Sequence, residues 1–280
     1  MRINNNKEFP KFSVLMSVYK MENPVYLDEA LKSIEKQTVL PTEIVLVEDG
    51  DIPAELAAII KKHQRLFINS FKVVKSPRNQ GLGNALRLGT NYITTNWIAR
   101  MDSDDISVPN RFELQLKEIM QHPNLKLIGG QVKEFANKAT NIVGYRRVPT
   151  TEKLILKFLK WRNPFNHPSV MINKKTLQKV GGYVPFGNLE DYYLWVRIIA
   201  AKYHVCNLDK TLVKMRVDEG LYNRRGKVSN IRYFFILRNI MYQNGLVKKN
   251  EKLIGDILMT MNIVVPNKVR KVIYQKLIHK

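Results

Sequence analysis

The chain predicts an α/β fold, in which a parallel sheet covered by helices on both faces runs on into a mixed sheet. Short apolar runs alternate with helix-period segments from Phe12 to about Arg100, the pattern of βαβ units whose right-handed crossovers bring every strand C-terminus to one edge. Two of those runs stop abruptly on acids, at Glu48-Asp49 and at Asp102, Asp104 and Asp105. Beyond the helix that follows Pro109, strand-like segments succeed one another directly, so the second half should be mixed.

Residues 1–11 are a polar tail. Phe12–Val18 is apolar, carries β-branched residues and is bounded by Pro10 and Tyr19-Lys20, which makes it a buried strand. Asn23-Pro24 starts a helix whose Leu27, Ala30, Leu31 and Ile34 share a face, until Gln37-Thr38 and the loop at Pro41. Glu43–Val47 is the second buried strand. A helix from Pro53 to about Arg65, a strand over Phe71–Val74, a turn at Gly81-Leu82-Gly83, a helix over Asn84–Thr90 and a strand opening at Trp97 continue the alternation.

After a helix over Phe112–Met120, short strands are expected at Lys126–Gly130, Gln131–Phe135 and Ile142–Arg146, with a turn across 137–141 between the last two. A helix over Thr151–Trp161 leads to Asn163-Pro-Phe-Asn-His-Pro-Ser-Val-Met171. A short helix ends at Gly181-Gly182, another begins at Glu190-Asp191 with Tyr192, Leu194, Trp195, Ile198 and Ile199 as its apolar face, and Lys210–Val217 is the last strand. From Ser229 the pattern is helical and basic: Ile231, Phe234, Phe235, Leu237, Ile240 and Met241 form a stripe with Arg232 and Arg238 outside it, and Val269, Val272, Ile273 and Leu277 alternate with basic residues in a final helix. The organisation expected is a tail (1–11), a main domain (12–220) with halves 12–108 and 109–220, and a helical extension (221–280).

Composition narrows the class. The 280 residues are 45% hydrophobic and 25% charged, as in an ordinary globular protein. No window approaches the roughly 18 apolar residues of a membrane span. The single cysteine, Cys206, excludes an internal disulfide, and no basic-then-apolar leader opens the sequence, so a reducing cytoplasm is the expected compartment. The formal charge is +22, and the last 60 residues hold 13 Lys and Arg against Glu251 and Asp256. Such an excess attracts polyanions: nucleic acid, an anionic bilayer or phosphorylated substrates.

The acids carry the chemistry. Three carboxylates within Asp102–Asp105 repel one another and need water or a cation between them, and hard divalent ions favour such oxygens. An acidic loop capping the helix after Pro109 is the structural alternative. Ligands of open α/β sheets bind at the strand C-termini, which puts Asp49 and the Asp102 cluster in one crevice. Gly81-Leu82-Gly83 on the same edge is either a phosphate cradle or a plain turn, and it lacks the spacing of a full nucleotide fingerprint. His167, held between Pro164 and Pro168, is either structural or a ligand for a metal or substrate. Glu190 and Asp191 suit a helix N-terminus, where a negative charge is worth about 0.3–1 kcal/mol, and a carboxylate there can also serve as a general base.

Taken in order, Ser-Val-Leu-Met-Ser-Val-Tyr, Val-Leu-Val-Glu-Asp-Gly, Asn-Gln-Gly-Leu-Gly-Asn-Ala-Leu, Trp-Ile-Ala-Arg-Met-Asp-Ser-Asp-Asp-Ile-Ser-Val-Pro-Asn-Arg, Asn-Pro-Phe-Asn-His-Pro-Ser-Val-Met, Gly-Gly-Tyr and Glu-Asp-Tyr-Tyr-Leu-Trp-Val-Arg form an ordered set. From about Phe12 to Asp218 it resembles the inverting family 2 glycosyltransferases of the GT-A fold, more narrowly the amylovoran-type exopolysaccharide and capsule enzymes. The resemblance implies that Ser17, Val18, Tyr19 and Asp49 hold the base and ribose of a nucleotide sugar, with Ser103, Arg78 and Arg100 as further nucleotide or diphosphate contacts. It makes Asp104 the direct ligand of Mn²⁺ or Mg²⁺, Asp102 a partner of the ribose or of a metal-bound water, and Asp191 the catalytic base. His167, Glu190 and Trp195 become candidate acceptor or sugar contacts. Many members carry a histidine shortly after the arginine of the last strand, some using it on the metal. Here Asp218 follows Arg216-Val217 and is the candidate for that metal ligand, since an aspartate can also bind a hard ion.

The expected activity is metal-dependent, inverting transfer from a nucleotide sugar, with UDP as the expected carrier, to a polyprenyl-diphosphate-linked saccharide. This would occur in capsule, exopolysaccharide or O-antigen synthesis, at the inner face of the plasma membrane. The basic C-terminal helices would meet the anionic surface there. A sugar-phosphate nucleotidyltransferase would show a Gly-rich basic loop after the first strand, where Tyr19-Lys-Met-Glu-Asn-Pro24 stands instead. A nucleic-acid-binding protein would leave the strand-end acids unused, and no nucleic-acid partner is expected.

Overall fold

The computed structural model describes residues 8–67, 69–217 and 230–264. Strands β1 (Phe12–Val18), β2 (Glu43–Asp49), β3 (Phe71–Ser76) and β4 (Trp97–Arg100) are parallel in the order β3-β2-β1-β4. They are joined by helices α1 (Pro24–Glu35), α2 (Ala54–Gln64) and α3 (Leu82–Thr90). Asn23 caps α1 by accepting the Val25 N–H, Pro24 takes the first turn where its missing N–H costs nothing, and Leu27, Ala30, Leu31 and Ile34 are buried. Alternation along β1 divides the core between the sheet's faces. Val14, Met16 and Val18 join residues of α1 and α2, whereas Leu15 lies with residues of α3.

The second half extends the same sheet. After β5 (Ile106–Ser107) come α4 (Arg111–Gln121), β6 (Leu125–Phe135), β7 (Ile142–Arg146), α5 (Glu152–Leu159), a 3₁₀ turn at His167–Ser169 and β8 (Met171–Asn173). Then follow α6 (Lys174–Lys179), α7 (Glu190–Ala200) and β9 (His204–Arg216). The full order is β3-β2-β1-β4-β8-β6-β9-β5, with β7 on β6. β8 is antiparallel to both β4 and β6, and β9 is parallel to β6, so nine strands form one mixed sheet across the two halves.

Three differences from the sequence reading have physical causes. The two strands expected over 126–135 are one, because Gly129 and Gly130 do not break it. A Cβ on Gly130 would meet the Leu212 side chain at 2.5 Å, so the glycines admit β9. β9 itself begins at His204, before Lys210, since its polar Asn207 is buried and donates to the carbonyls of Pro149 (2.7 Å) and Pro164 (3.0 Å). Finally, Arg238, expected outside the apolar stripe of α8 (Asn230–Gln243), is buried. Its guanidinium donates to the carbonyls of Lys160 (2.6 Å), Glu251 (2.5 Å) and Lys252 (3.2 Å), joining the end of α5 to α9 (Lys249–Val264). Leu237, Met241 and Val247 enter the main core. The final basic helix expected across 269–277 lies outside the described residues.

Candidate active site

The parallel register collects the strand ends. Ser17 and Val18 pair with Val47 and Glu48, and the Met101 N–H donates to the Leu15 carbonyl at 3.1 Å. Ser17–Tyr19, Asp49 and Arg100–Asp105 therefore share one edge. Ser17 is half-buried, the Val18 side chain is buried, and Tyr19 and Arg78 are exposed. Asp49 accepts the backbone N–H groups of Gln80 (2.8 Å) and Gly81 (2.9 Å), fixing the end of β2 to the start of α3. Gly81 takes φ 85° there, a left-handed conformation that glycine tolerates best. The anion that this glycine turn holds is Asp49 itself, which favours the turn over the phosphate cradle.

Between β4 and β5 the side-chain oxygens of Asp102, Asp104 and Asp105 lie within 4.8 Å of one another. Arg100 donates a guanidinium N–H to Asp102, and the Ser103 hydroxyl donates to Glu22. Asp105 Oδ1 accepts the Arg216 N–H at 2.9 Å, whereas its Oδ2 is buried with no hydrogen-bond partner. Burial, then the neighbouring Asp102 and Glu22 carboxylates, push the Asp104 carboxyl up to about 7. Asp105 is raised well above the usual range by burial and by Asp104. An all-oxygen donor set, a buried oxygen without a donor and carboxyls that resist ionising beside one another together fit a hard divalent cation.

Two buried arginines stand behind this loop. Arg111, at the start of α4, donates to the Arg100 carbonyl at 2.8 Å, and burial together with the Arg100 charge pushes it down to about 9. Arg100 is 2% exposed, and its Nε and Nη1 have no hydrogen-bond partner. Burial opposes its charge, but the adjacent Asp102 outweighs that and holds it above its ordinary value. The residue expected at a diphosphate is thus sunk under the carboxylates and bound to one of them. Arg216 fixes the loop from outside. It donates to the Asp104 carbonyl (3.2 Å) and to Glu29 (2.5 Å), and its guanidinium lies over the rings of Tyr26 (3.7 Å) and Phe135 (4.6 Å).

Helix α7 supplies the second pair of acids. Asp191 accepts the Tyr192 N–H on Oδ1 at 2.7 Å and the Asn163 amide on Oδ2 at 2.6 Å. Burial raises its carboxyl above the ordinary value, opposed by those two donors and by the Arg100 charge. Glu190, beside Gly83, has a buried Oε2 with no hydrogen-bond partner, and burial together with Asp191 pushes it up to about 7. His167 Nε2 lies 3.2 Å from the Tyr183 hydroxyl and its ring packs against Tyr183 and Trp195. Burial and the Arg100 charge drive it well below its usual value, so it is neutral. Trp195 is 0% exposed. His167 and Trp195, expected as candidate acceptor or sugar contacts, are both buried, and Trp195 is part of the main hydrophobic core. Asp218 lies outside the described residues.

Sequence reasoning missed Glu22 and Asn163, which lie on the Ser103 hydroxyl and on Asp191. Asn163 opens the quoted Asn-Pro-Phe-Asn-His-Pro segment, a signal that was present but pointed to His167. Glu22 sits in the loop after β1, where only its position at the same edge could have drawn attention.

A parallel sheet running on into a mixed one, with carboxylates gathered at its strand ends, is the arrangement of the GT-A fold. Residues 13–181 match Glycosyl transferase family 2, and the chain belongs to that family. It is 38% identical over 270 residues to an uncharacterized glycosyltransferase of Haemophilus influenzae, covering 96% of this chain and 100% of that one. It is 35% identical to the UDP-Gal:alpha-D-GlcNAc-diphosphoundecaprenol beta-1,3-galactosyltransferase of Escherichia coli, covering 97% and 98%. It is 34% identical to the amylovoran biosynthesis glycosyltransferase AmsE of Erwinia amylovora, covering 95% and 98%. Among solved structures, S. aureus TarS 1-349 in complex with UDP-GlcNAc superposes with a TM-score of 0.70 at 17% identity, over 95% of this chain and 76% of that one. The mannosyltransferase PcManGT of Pyrobaculum calidifontis, in complex with GDP-Man and Mn2+, does so with 0.65 at 15%, over 97% and 81%. These two establish a shared fold.

Proposed function

We propose that this enzyme transfers a sugar, with inversion, from a UDP-sugar to a hydroxyl of a polyprenyl-diphosphate-linked saccharide in the synthesis of a surface polysaccharide. It would act at the inner face of the plasma membrane, with its basic C-terminal region toward the anionic lipid. The observation that carries the chemistry is the carboxylate cluster at the strand edge: the side-chain oxygens of Asp102, Asp104 and Asp105 lie within 4.8 Å of one another, with the buried Arg100 bonded to Asp102. The relatives named for a lipid-linked acceptor and for amylovoran support the acceptor class, and the relative named for UDP-Gal supports the donor.

In this reading Ser17–Tyr19 and Asp49 line the base and ribose side, with Ser103 and Arg78 at the rim. Asp104 and Asp102 would hold Mn²⁺ or Mg²⁺, whose charge offsets that of the departing nucleoside diphosphate. Arg100, donating a guanidinium N–H to Asp102, holds that carboxylate in place. Asp191 takes the proton from the acceptor hydroxyl as that oxygen attacks the anomeric carbon from the face opposite the leaving group. Burial increases its affinity for the proton, while the Asn163 amide and the Tyr192 N–H keep the carboxylate aimed. A single displacement inverts the centre and needs no covalent enzyme intermediate, unlike a two-step retaining route. Glu190, beside Asp191, suits a contact to an acceptor or donor hydroxyl.

Two variants test the roles. Asp191→Asn should lower transfer by at least about a thousandfold, within the range lost when an essential base is removed, with UDP-sugar and Mn²⁺ binding unchanged by calorimetry. Asp104→Ala should instead lose metal-dependent donor binding. Full transfer by either variant overturns the assignment. A screen of nucleoside diphosphate release over common UDP- and GDP-sugars, with and without Mn²⁺, identifies the donor.

A further inference from the structure

Helix α9 is amphipathic in the reverse of the usual sense. Its polar side faces the protein: Glu251 pairs with Lys160 at 2.7 Å, Asp256 approaches Arg238 at 3.5 Å and Lys252 at 3.0 Å, and Gly255 leaves the room that the Arg238 guanidinium occupies. Its apolar side faces out. Leu253, Ile254, Ile257 and Leu258, at the i, i+1, i+4, i+5 spacing of one helical face, are 61, 47, 52 and 54% exposed. Water-facing helices of globular proteins place such residues inward, and a contiguous exposed patch marks a contact surface.

The surroundings of the stripe specify what it meets. Lys248 and Lys249 are exposed at the start of α9. Trp161, 44% exposed, lies with its ring 5.7 Å from the Arg238 guanidinium that holds α9, and it is followed by the exposed Arg162. Apolar side chains bordered by Lys, Arg and Trp match the boundary of an anionic bilayer, where acyl chains receive the apolar face, headgroups the cations and the interface the indole. A second copy of this chain would bring a net charge of +22 against its like, which opposes self-association. The segment Trp161-Arg162-Asn163 also leads directly from this surface to Asn163, the amide on Asp191.

We infer that the outward face of α9, with Trp161 beside it, is a membrane-docking surface that seats the enzyme on anionic lipid with the Asp191 side of the site toward the bilayer. This deepens the proposed function, since a lipid-linked acceptor is reached from that side. Basic residues supply attraction that salt screens, and the stripe supplies the part that salt leaves.

The test uses the full chain and sedimentation with vesicles of phosphatidylcholine containing about 30% phosphatidylglycerol, an anionic surface of the kind that attracts basic segments. The wild type should bind, and should retain part of that binding in about 0.5 M NaCl, where charges are largely screened. The variant Leu253→Ser/Ile254→Ser/Ile257→Ser/Leu258→Ser should bind roughly tenfold or more weakly, as expected when buried apolar area is lost. Its melting temperature and its turnover of nucleotide sugar should match the wild type. Equal vesicle binding by the two proteins overturns the proposal. So does a lower melting temperature, which would mean that the stripe is covered by this chain's own residues. A wild-type dimer that the variant converts to a monomer overturns it in favour of a second copy. Vesicle binding requires neither donor nor acceptor, so its failure is distinct from a failure of the transferase reading.

Discussion

At the residue scale, the behaviour of Asp191 depends on groups the sequence did not single out. The Asn163 amide donates to one of its oxygens at 2.6 Å and so favours the ionised form that a base requires. Replacing Asn163 with Ala removes that preference and raises the carboxyl further. The acid limb of kcat/KM should therefore move to higher pH, with the variant least active relative to wild type at the acid end of the profile and recovering as pH rises. Asn163→Ser, which keeps a donor, should restore part of the shift. An unchanged pH profile would leave Asn163 a purely structural residue. Asp191 and the Asp102 cluster were legible in the sequence because their positions at a strand end and a helix start are local facts. Arg100 was legible as a charge but not as a buried partner of Asp102. That outcome depends on β8, residue 170 and α4 closing over it, and the Val170 carbonyl, accepting the Arg100 N–H at 3.0 Å, is 70 residues away.

At the scale of elements, α3 shows how the nucleotide edge is held. Asp49 anchors its start, and Gly89 near its end lies so close to the sheet that a Cβ would meet Leu15 Cδ1 at 2.5 Å and Val47 Cγ2 at 2.7 Å. Alanine in a helix is favoured over glycine by about 1 kcal/mol, while overpacking a tight core costs about 1–3 kcal/mol. The clash involves the buried side chains of Leu15 and Val47, so Gly89→Ala should lower stability by a net of up to ~2 kcal/mol, read from urea denaturation at unchanged slope. A gain in stability would show that α3 can lift without cost. The βαβ elements could be read from sequence because strand, turn and helix signals succeed one another within a few residues. The second half was harder: β9 hides its first turn of chain behind Asn207 and Asp209, and β5 has two residues. Polar side chains satisfied by distant carbonyls give no local strand signal.

At the scale of the whole molecule, the two expected halves share one sheet. The free edge of β4 is completed by β8, with Ile98 opposite Ile172, and Leu15, Val45 and Val47 share a core with residues of α7 and α8. A fragment ending at residue 108 should therefore lack cooperative thermal unfolding by circular dichroism and be digested rapidly by protease, although it carries most of the nucleotide-side residues. A sharp melting transition in that fragment would show the nucleotide half to be autonomous. Among the described residues no helix is long and apolar enough to cross a membrane.

The position of β9 also bears on how the chain is made. Among the described residues it is the last strand in sequence, yet it lies inside the sheet between β6 and β5. A chain emerging from the ribosome completes β6 some 70 residues before residue 204 appears, and at about 5–20 residues per second that gap lasts several seconds or more. Throughout it, the side of β6 reserved for β9 offers unpaired backbone groups of the kind that template misassembly. Nascent chains of this enzyme are thus most exposed to aggregation late in synthesis, and slowing translation across 136–204 should lower soluble yield more than slowing it across 1–100.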